Sequence, residues 1–426
     1  MPFERKNNMA PDYRNRPDDR ALIGRESTVL DFLFVFVPFF ALLFNKVIGP
    51  ATPLLVIATV GVFFLLRYER LTGVFAATWP LLLLPLLCLG SALWSDAPGS
   101  SLRYGTLYLL TVIAAIFVGA GTDRTSALKG MQIAFSSYLL LSLIFGRWTG
   151  WGDGGAAFAG LAGSKNAAGD AAGLGLLISL SMMFWAIGRR SLGWGLVALA
   201  TVPPAIYSLL FSRSTGAWLA SALAVSCLVA WIISRRLQPA TRAAVFIIFL
   251  FAVVVAASSS PFWMGDILDA LLESSGKDQN ITGRADLWVV ADEYIARRPF
   301  IGGGYAAFWI EGNLDAEALW RLLGLESGAT FNFHNTARGI AVDLGLIGLA
   351  VFAIVWLYCG TRLFWRTMVT PSYFGIFFCS ILAFIAPRLY FEQIGFSNLH
   401  FPTLLMIAGL AAGLRPARLA NAGHAR

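Results

Sequence analysis

The chain has 426 residues, of which 57% are hydrophobic and only 13% are charged, and its net charge is +8. Soluble domains carry about 25% charged residues, so these values exclude a single water-soluble core. A positive charge could suit nucleic acid, but the basic residues lie in small clusters between apolar segments, as in membrane proteins. The composition therefore predicts a polytopic helical membrane protein that has no nucleic-acid partner.

The N-terminal segment is polar and rich in Arg, Asp and Pro. It contains no short apolar core followed by a small-residue cleavage site, as a signal peptide would. We expect residues 1–28 to form a disordered N-terminus on the cytoplasmic side. The first membrane helix is then expected to remain in the mature protein.

Apolar runs long enough to cross a bilayer, about 17–25 residues each, recur along the chain. The fold class that they predict is all-α, with about twelve transmembrane helices. The predicted helices are at residues 29–44, 47–66, 74–94, 104–120, 127–145, 171–188, 193–211, 215–234, 242–257, 336–359, 373–390 and 398–414. Nine of them fall within residues 29–257 and three within 336–414. Residues 258–335 separate the two groups as a long loop, and residues 415–426 form a tail.

Basic residues predict the orientation of these helices. If the N-terminus is cytoplasmic, every short cytoplasmic connection carries at least two positive charges. The opposite connections mostly carry one each, at Lys46, Arg103, Arg213 and Arg388. The positive-inside rule therefore favours both termini in the cytoplasm and the long loop outside.

The long loop has helical signals of its own. Apolar residues recur at helical spacing from Arg284 to Arg298, and Pro299 follows, which predicts an amphipathic helix. Asp315 is predicted to cap a second helix that ends at Gly324. We expect the loop to rest on the membrane surface through four aromatic residues, which are Trp309, Trp320, Phe331 and Phe333.

His334 is the leading candidate for catalysis, because an imidazole can accept a proton near neutral pH. It stands where the polar loop enters the tenth predicted helix. A histidine that merely begins a helix at the membrane interface is the alternative interpretation. Of the other two histidines, His400 lies beside apolar residues and His424 lies in the tail, so neither is predicted to act.

Three arginines on the predicted outer side are candidates for binding a diphosphate, since a guanidinium fork binds phosphate oxygens and keeps its charge. They are Arg213, Arg284 and Arg338. Arg338 follows His334 by one helical turn, and an unpaired charge there would require an anionic ligand or Asp343. The alternative interpretation is that these arginines only flank helices and pair with lipid headgroups. This alternative is weaker for Arg213, which lies between two serines on the side where basic residues are scarce.

Three further residues could support such a site. Asp343 lies about two turns into the same predicted helix, where a carboxylate is functional or paired by default, and a structural partner is an equally good interpretation. Lys165 and Asn335 complete the set. Lys165 belongs to the glycine-rich connection 147–170, which we expect to be mobile or tightly turned.

Several familiar motifs are absent from the sequence. It has no Asp-x-Asp pair for a metal-bound nucleotide sugar and no GxxxxGK[ST] loop for ATP. The run Gly302-Gly303-Gly304 does not follow a predicted strand and is a poor dinucleotide signal. We therefore predict no metal and no cofactor.

The order of the motifs resembles the bacterial O-antigen ligase and polymerase superfamily over residues 90–350. The matching motifs are Trp94-Ser95, Lys165-Asn166, Ser212-Arg213-Ser214, Gly283-Arg284, Gly302-x-Gly304 and His334-Asn335. The resemblance implies a metal-independent, inverting glycosyltransferase of the bacterial inner membrane, with its active site on the periplasmic face. The implied donor is a glycan on undecaprenyl diphosphate. The implied acceptor is lipid A–core for a ligase and a second lipid-linked repeat for a polymerase.

The same resemblance implies that Arg213 and Arg284 bind the diphosphate and that His334 activates the acceptor hydroxyl. Asp343 stands where many relatives have glutamate, so it receives no catalytic role. The spacing of the long loop favours a ligase, and an exopolysaccharide or O-antigen repeat-unit polymerase is the nearest alternative. A transporter or flippase would place its polar groups near the bilayer midplane. An inactive scaffold would leave the outer cluster of histidine and arginines unexplained.

Overall fold

The computed structural model describes residues 29–151, 155–248, 251, 252, 255, 284–329 and 331–416. The described part of the chain is almost entirely helical. In chain order its helices are α1 (Val29–Leu43), α2 (Asn45–Ile48), α3 (Ala51–Thr78), α4 (Leu83–Gly90), α5 (Pro98–Ile116), α6 (Arg124–Phe145), α7 (Lys165–Arg189), α8 (Leu192–Phe211), α9 (Thr215–Ser234), α10 (Pro239–Ile248), α11 (Arg284–Arg297), α12 (Leu314–Leu322), α13 (Thr336–Val369), α14 (Tyr373–Phe391) and α15 (Phe401–Leu414).

Nine segments of the described chain are long and apolar enough to cross a membrane. Three shorter apolar helices, α1, α10 and α15, coincide with the remaining predicted spans. Helices suit lipid because they satisfy their own backbone hydrogen bonds. The prediction of an all-α polytopic membrane protein is therefore confirmed. Residues 1–28 and 417–426, much of the C-terminal half of the ninth predicted span and all of the long loop before Arg284 lie outside the described residues.

The connection between α6 and α7 differs from its prediction. It contains an antiparallel hairpin of β1 (Arg147–Trp151) and β2 (Gly155–Gly160). After the hairpin, α7 begins at Lys165 rather than at residue 171, because the Ser164 hydroxyl accepts a hydrogen bond from the Ala167 N–H and caps the helix. Residues 165–170, predicted to be part of an irregular connection, are thus the first turns of a helix.

The described part of the long loop folds into a small cap on the bundle. Its helix α11 ends before Pro299, as predicted. The N-cap of α12 is Asn313, whose side chain accepts a hydrogen bond from the Asp315 N–H, so the prediction that Asp315 caps this helix is wrong. Trp320 and Phe333 are buried in the core of the cap, where they pack around Trp309. These two rings therefore stabilise the cap itself rather than rest on the membrane surface.

Helix α13 is interrupted at Gly345, whose backbone (φ 64°, ψ −164°) favours glycine. Residues 299–304, which follow α11, form hydrogen bonds with the backbone of α13 on both sides of Gly345. The N–H groups of Gly303 and Gly304 donate to the carbonyls of Val342 and Asp343, at 2.9 and 2.8 Å. The first two N–H groups after Gly345 donate to the carbonyls of Pro299 and Phe300, at 2.8 and 3.1 Å. The glycine run is thus a structural insert that fixes the cap to the bundle.

Candidate active site

Several helix ends meet at one end of the bundle, beneath the cap. They are the beginnings of α7, α13 and α15 and the end of α14, and they enclose a cavity of about 470 Å³. Charged and polar side chains line part of it, including Asn166, Asp170, His334 and Glu392. Residues far apart in the sequence therefore share one chemical environment.

Glu392, which directly follows α14, is the centre of the charged cluster. Its Oε2 lies 2.9 Å from His334 Nδ1, and its Oε1 accepts hydrogen bonds from Asn166 at 3.0 Å and Arg284 at 3.2 Å. A nitrogen of Arg388 lies 3.6 Å from the same Oε1. Burial tends to raise the pKa of the Glu392 carboxyl, but the hydrogen bond from His334 and the neighbouring positive charges outweigh burial and lower that pKa. Glu392 is therefore a carboxylate at neutral pH.

The contact with Glu392 determines which nitrogen of His334 carries a proton. A carboxylate only accepts hydrogen bonds, so Nδ1 is the donor and Nε2 of the neutral ring keeps its lone pair. The backbone of His334 has a φ of 48°, in the left-handed region that is unfavourable for histidine. Asn332 supports this turn, because its Oδ1 accepts a hydrogen bond from the His334 N–H at 2.8 Å. These contacts thus fix the orientation of the imidazole at the cavity wall, with Nδ1 toward Glu392.

Hydrogen bonds join the beginning of α13 to the end of α14 and so bring His334 to Glu392. Asn335 is buried and caps α13 by accepting from the Arg338 N–H at 2.9 Å. Its amide also donates to the Tyr390 carbonyl at 3.0 Å, and Thr336 Oγ1 donates to the Glu392 carbonyl at 2.8 Å. Asn335 is thus a helix cap that positions its neighbour His334, and its supporting role in a site stays a prediction.

A buried ion pair adjoins the cluster. Asp170 of α7 and Arg388 of α14 are 4% and 2% exposed, and their charged groups lie 2.8 Å apart. Removing both charges from water is unfavourable unless the pair is well formed. The pair fixes α7 against α14, and it thereby holds Asn166 beside Glu392.

The structure places one of the three predicted arginines in direct contact with this cluster. Arg284 begins α11 and binds Glu392 directly. Arg213, at the turn between α8 and α9, has a φ of 49° and forms no ion pair with a described residue. Its neighbour Ser214 donates to Asn166 Oδ1 at 3.1 Å, so hydrogen bonds connect this turn to Glu392. Together with the arginine of the buried pair, two guanidinium groups therefore accompany two carboxylates.

The other predicted residues have different surroundings. Arg338 forms a two-pronged ion pair with Asp292 of α11, with both nitrogen–oxygen distances at 2.9 Å, so its charge requires neither a ligand nor Asp343. Asp343 lines the cavity and accepts a hydrogen bond from the Ala306 N–H at 3.0 Å, in agreement with a structural partner. Lys165 begins α7 but is not one of the lining residues.

The sequence patterns did not indicate Glu392, Arg388 or Asp170 as site residues. A signal was present, because Arg388 and Glu392 are opposite charges four residues apart at the end of an apolar run, where unpaired charges are unfavourable. The contact between His334 and Glu392 joins residues 58 positions apart and belongs to the tertiary structure alone.

Comparisons with known proteins agree with the resemblance of the motifs. The O-antigen ligase family matches residues 204–353, a segment that contains Arg213, Arg284 and His334 but not Glu392. The exopolysaccharide production protein ExoQ of Rhizobium meliloti is 32% identical over 292 residues. That match covers 68% of this chain and 66% of the relative, so the chain spans slightly less than two thirds of the relative's length. Over about two thirds of its length, this multi-pass membrane protein is thus similar to the superfamily of O-antigen ligases and polymerases.

Proposed function

We propose that the protein is a glycosyltransferase that moves a glycan from undecaprenyl diphosphate to a sugar hydroxyl group, on the periplasmic face of the inner membrane. The observation that carries this proposal is the 2.9 Å contact between His334 Nδ1 and Glu392, in a cluster that includes Arg284. A positioned base beside fixed cations provides what attack on an anomeric carbon with an anionic leaving group requires.

In the proposed reaction, His334 Nε2 accepts the proton of the acceptor hydroxyl as its oxygen bonds to the anomeric carbon of the donor. The bond from that carbon to the diphosphate oxygen breaks on the opposite side, so the configuration inverts and undecaprenyl diphosphate leaves. Arg213 and Arg284 stabilise the leaving diphosphate, because guanidinium groups pair with phosphate oxygens. Glu392 orients the imidazole and stabilises its protonated form, as the carboxylate of a catalytic triad does.

Two acceptors suit this chemistry. A ligase would use lipid A–core, and the description of the matched family as O-antigen ligase supports this alternative. A polymerase would use a second lipid-linked repeat, and the relative named for exopolysaccharide production supports that one. We give precedence to the repeat-unit polymerase, because the match to this relative extends over more of the chain than the family match does.

The proposal includes an orientation in the membrane. Residues 1–28 and 415–426 would be cytoplasmic, and residues 258–335 would be periplasmic. The cavity supports this arrangement, because Lys46, Asn166, His334 and His400 all line it and the basic-residue pattern predicts all four on the outer side. Membrane lipids would then surround the bundle while the cap faces the periplasm.

A transporter or flippase is the alternative from another class. It would hold its ligand near the midplane on broken helices. Helix α13 is broken at Gly345, but the N–H groups of Gly303 and Gly304 already donate hydrogen bonds to carbonyls next to the break. His334 and Arg284 instead converge on Glu392 at the helix ends, which favours the transferase.

The test uses a cell that lacks the protein and carries wild type, His334→Ala or Arg284→Ala. Extracted lipopolysaccharide, secreted polysaccharide and undecaprenyl-linked glycans are compared. Single repeats that accumulate on the carrier, and that only wild type removes, indicate a polymerase. Polymerised glycan on the carrier with bare lipid A–core indicates a ligase. Normal glycan pools in cells with either variant would contradict the proposal.

A further inference from the structure

The cavity beside His334 is chemically uneven. Part of its lining is the charged cluster around Glu392. Another part consists of neutral amides and aromatic rings, and the described lining residues include no arginine. We call this part the amide–aromatic wall, and its residues are Trp309, Phe331, Asn332, Gln393 and Asn398. The proposed reaction gives these residues no role so far.

The aromatic half of the wall is contiguous with the proposed base. The ring centroid of Phe331 lies 5.4 Å from the centroids of both Trp309 and His334, nearly perpendicular to each ring. Trp309 packs in turn against Phe333 and Trp320 in the core of the cap. The wall therefore presents an apolar surface that is held by the core of the cap and that contacts the imidazole through Phe331.

The amide half has hydrogen-bonding capacity that the described residues leave unused. Asn332 employs its Oδ1 to support the His334 backbone, and its amide nitrogen makes no hydrogen bond with a described residue. The side-chain amide of Gln393 makes none either, although it is half-buried. Half-buried amides without a partner are unfavourable unless water or a ligand satisfies them. Hydroxyl groups can do so, since they both donate and accept.

We propose that the amide–aromatic wall is the subsite for the acceptor sugar. This inference rests on the proposed function. The acceptor hydroxyl must lie within about 2.6–3.2 Å of His334 Nε2, and the diphosphate requires the arginines, so the neutral lining next to His334 remains for an uncharged saccharide. The C–H face of the sugar packs on Trp309 and Phe331, and its hydroxyls bond to the amides.

Gly339 gives a second way to test the wall. A Cβ atom at this position would lie 2.8 Å from Oε1 of Gln393. Gly339→Ala therefore displaces the Gln393 amide without removing it. If the wall binds the acceptor through this amide, Gly339→Ala and Gln393→Ala have the same kinetic signature.

The experiment uses the purified full-length protein in liposomes, with the lipid-linked repeat as donor and a soluble repeat-unit oligosaccharide as the acceptor probe. We expect Gln393→Ala and Gly339→Ala to raise the acceptor KM about three- to tenfold, as the loss of one or two hydrogen bonds does. Trp309→Phe should raise it about threefold, and the donor KM should stay unchanged in all three. Trp148→Phe, at an exposed hairpin residue outside the lining, is the matched control and should change neither value.

An unchanged acceptor KM in all three variants would overturn the subsite, provided that their thermal unfolding midpoints match wild type. A rise in the donor KM alone would assign the wall to the donor sugar and would overturn it as well. Failure of the proposed function has a different result, because wild type itself would then transfer no glycan to any sugar acceptor.

Discussion

Two charged regions of this protein use the same residue types differently. Arg338 and Asp292 form an isolated two-pronged pair whose side chains are 26% and 55% exposed. Glu392 is 13% exposed, and one histidine and two arginines lie around its single carboxylate. The isolated pair neutralises itself, whereas in the cluster one carboxylate is shared by an imidazole and two guanidinium groups. An arginine one turn from a histidine is therefore a weaker sign of a site than a carboxylate that several basic groups share.

The largest expected effect is on the rate of glycan transfer, and it follows from removal of the proposed base. His334→Ala removes the proposed base and should lower the transfer rate by about 10²–10⁴-fold. His424→Ala, in the C-terminal tail, is the matched control and should leave the rate at the wild-type value. The measurement is the initial rate of glycan transfer by purified protein. Transfer at more than a tenth of the wild-type rate in His334→Ala would contradict a base at this position.

The second effect distinguishes Arg284, which belongs to the Glu392 cluster, from Arg338, which belongs to the isolated pair. Arg284→Ala removes a cation of the cluster and should lower kcat/KM for the lipid-linked donor by about 10²-fold, as the loss of a charge-assisted hydrogen bond does. Arg338→Ala should change it less than about threefold, because Asp292 already satisfies that guanidinium. Donor kinetics measured with both variants would sharpen the comparison. A larger loss in Arg338→Ala would reverse it.

The third effect concerns stability. Asp170→Asn leaves the buried Arg388 without its main partner and should destabilise the protein by about 3–5 kcal/mol. Asp292→Asn breaks the exposed pair and should cost at most about 1 kcal/mol. Unfolding in detergent, followed by thermal or denaturant titration, measures both. Equal losses would mean that burial does not distinguish the two ion pairs.

The smallest effect is a pH dependence. Because the pKa of Glu392 is lowered in the folded protein, its carboxylate adds stability that is present above its usual value near 4.5 and is lost as the pH falls below it. Glu392→Gln should therefore lose less stability than wild type on acidification. Glu311→Gln, at an exposed carboxylate of the cap, is the control and should follow wild type. A Glu392→Gln variant as acid-sensitive as wild type would contradict the charged state assigned to Glu392.

The sequence predicted the membrane helices well, because long apolar runs have no other way to satisfy their backbone in lipid. It also singled out His334 and Arg284, which the structure brings to the same carboxylate, because polar residues that adjoin apolar runs stand out in the sequence. Glu392 could not be predicted as the partner of His334, since the contact depends on hydrogen bonds between the beginning of α13 and the end of α14. The cap of α12 was misassigned because Asn313 and Asp315 have nearly equal capping preference.

The most direct test of the central claim separates binding from chemistry. Binding of a radiolabelled lipid-linked glycan and its single-turnover transfer would be measured for wild type, His334→Ala and Arg284→Ala. We predict that His334→Ala binds the donor as tightly as wild type yet transfers almost none of it, while Arg284→Ala binds it weakly. Full transfer by His334→Ala, or equal donor binding by Arg284→Ala and wild type, would contradict the division of labour proposed for the Glu392 cluster.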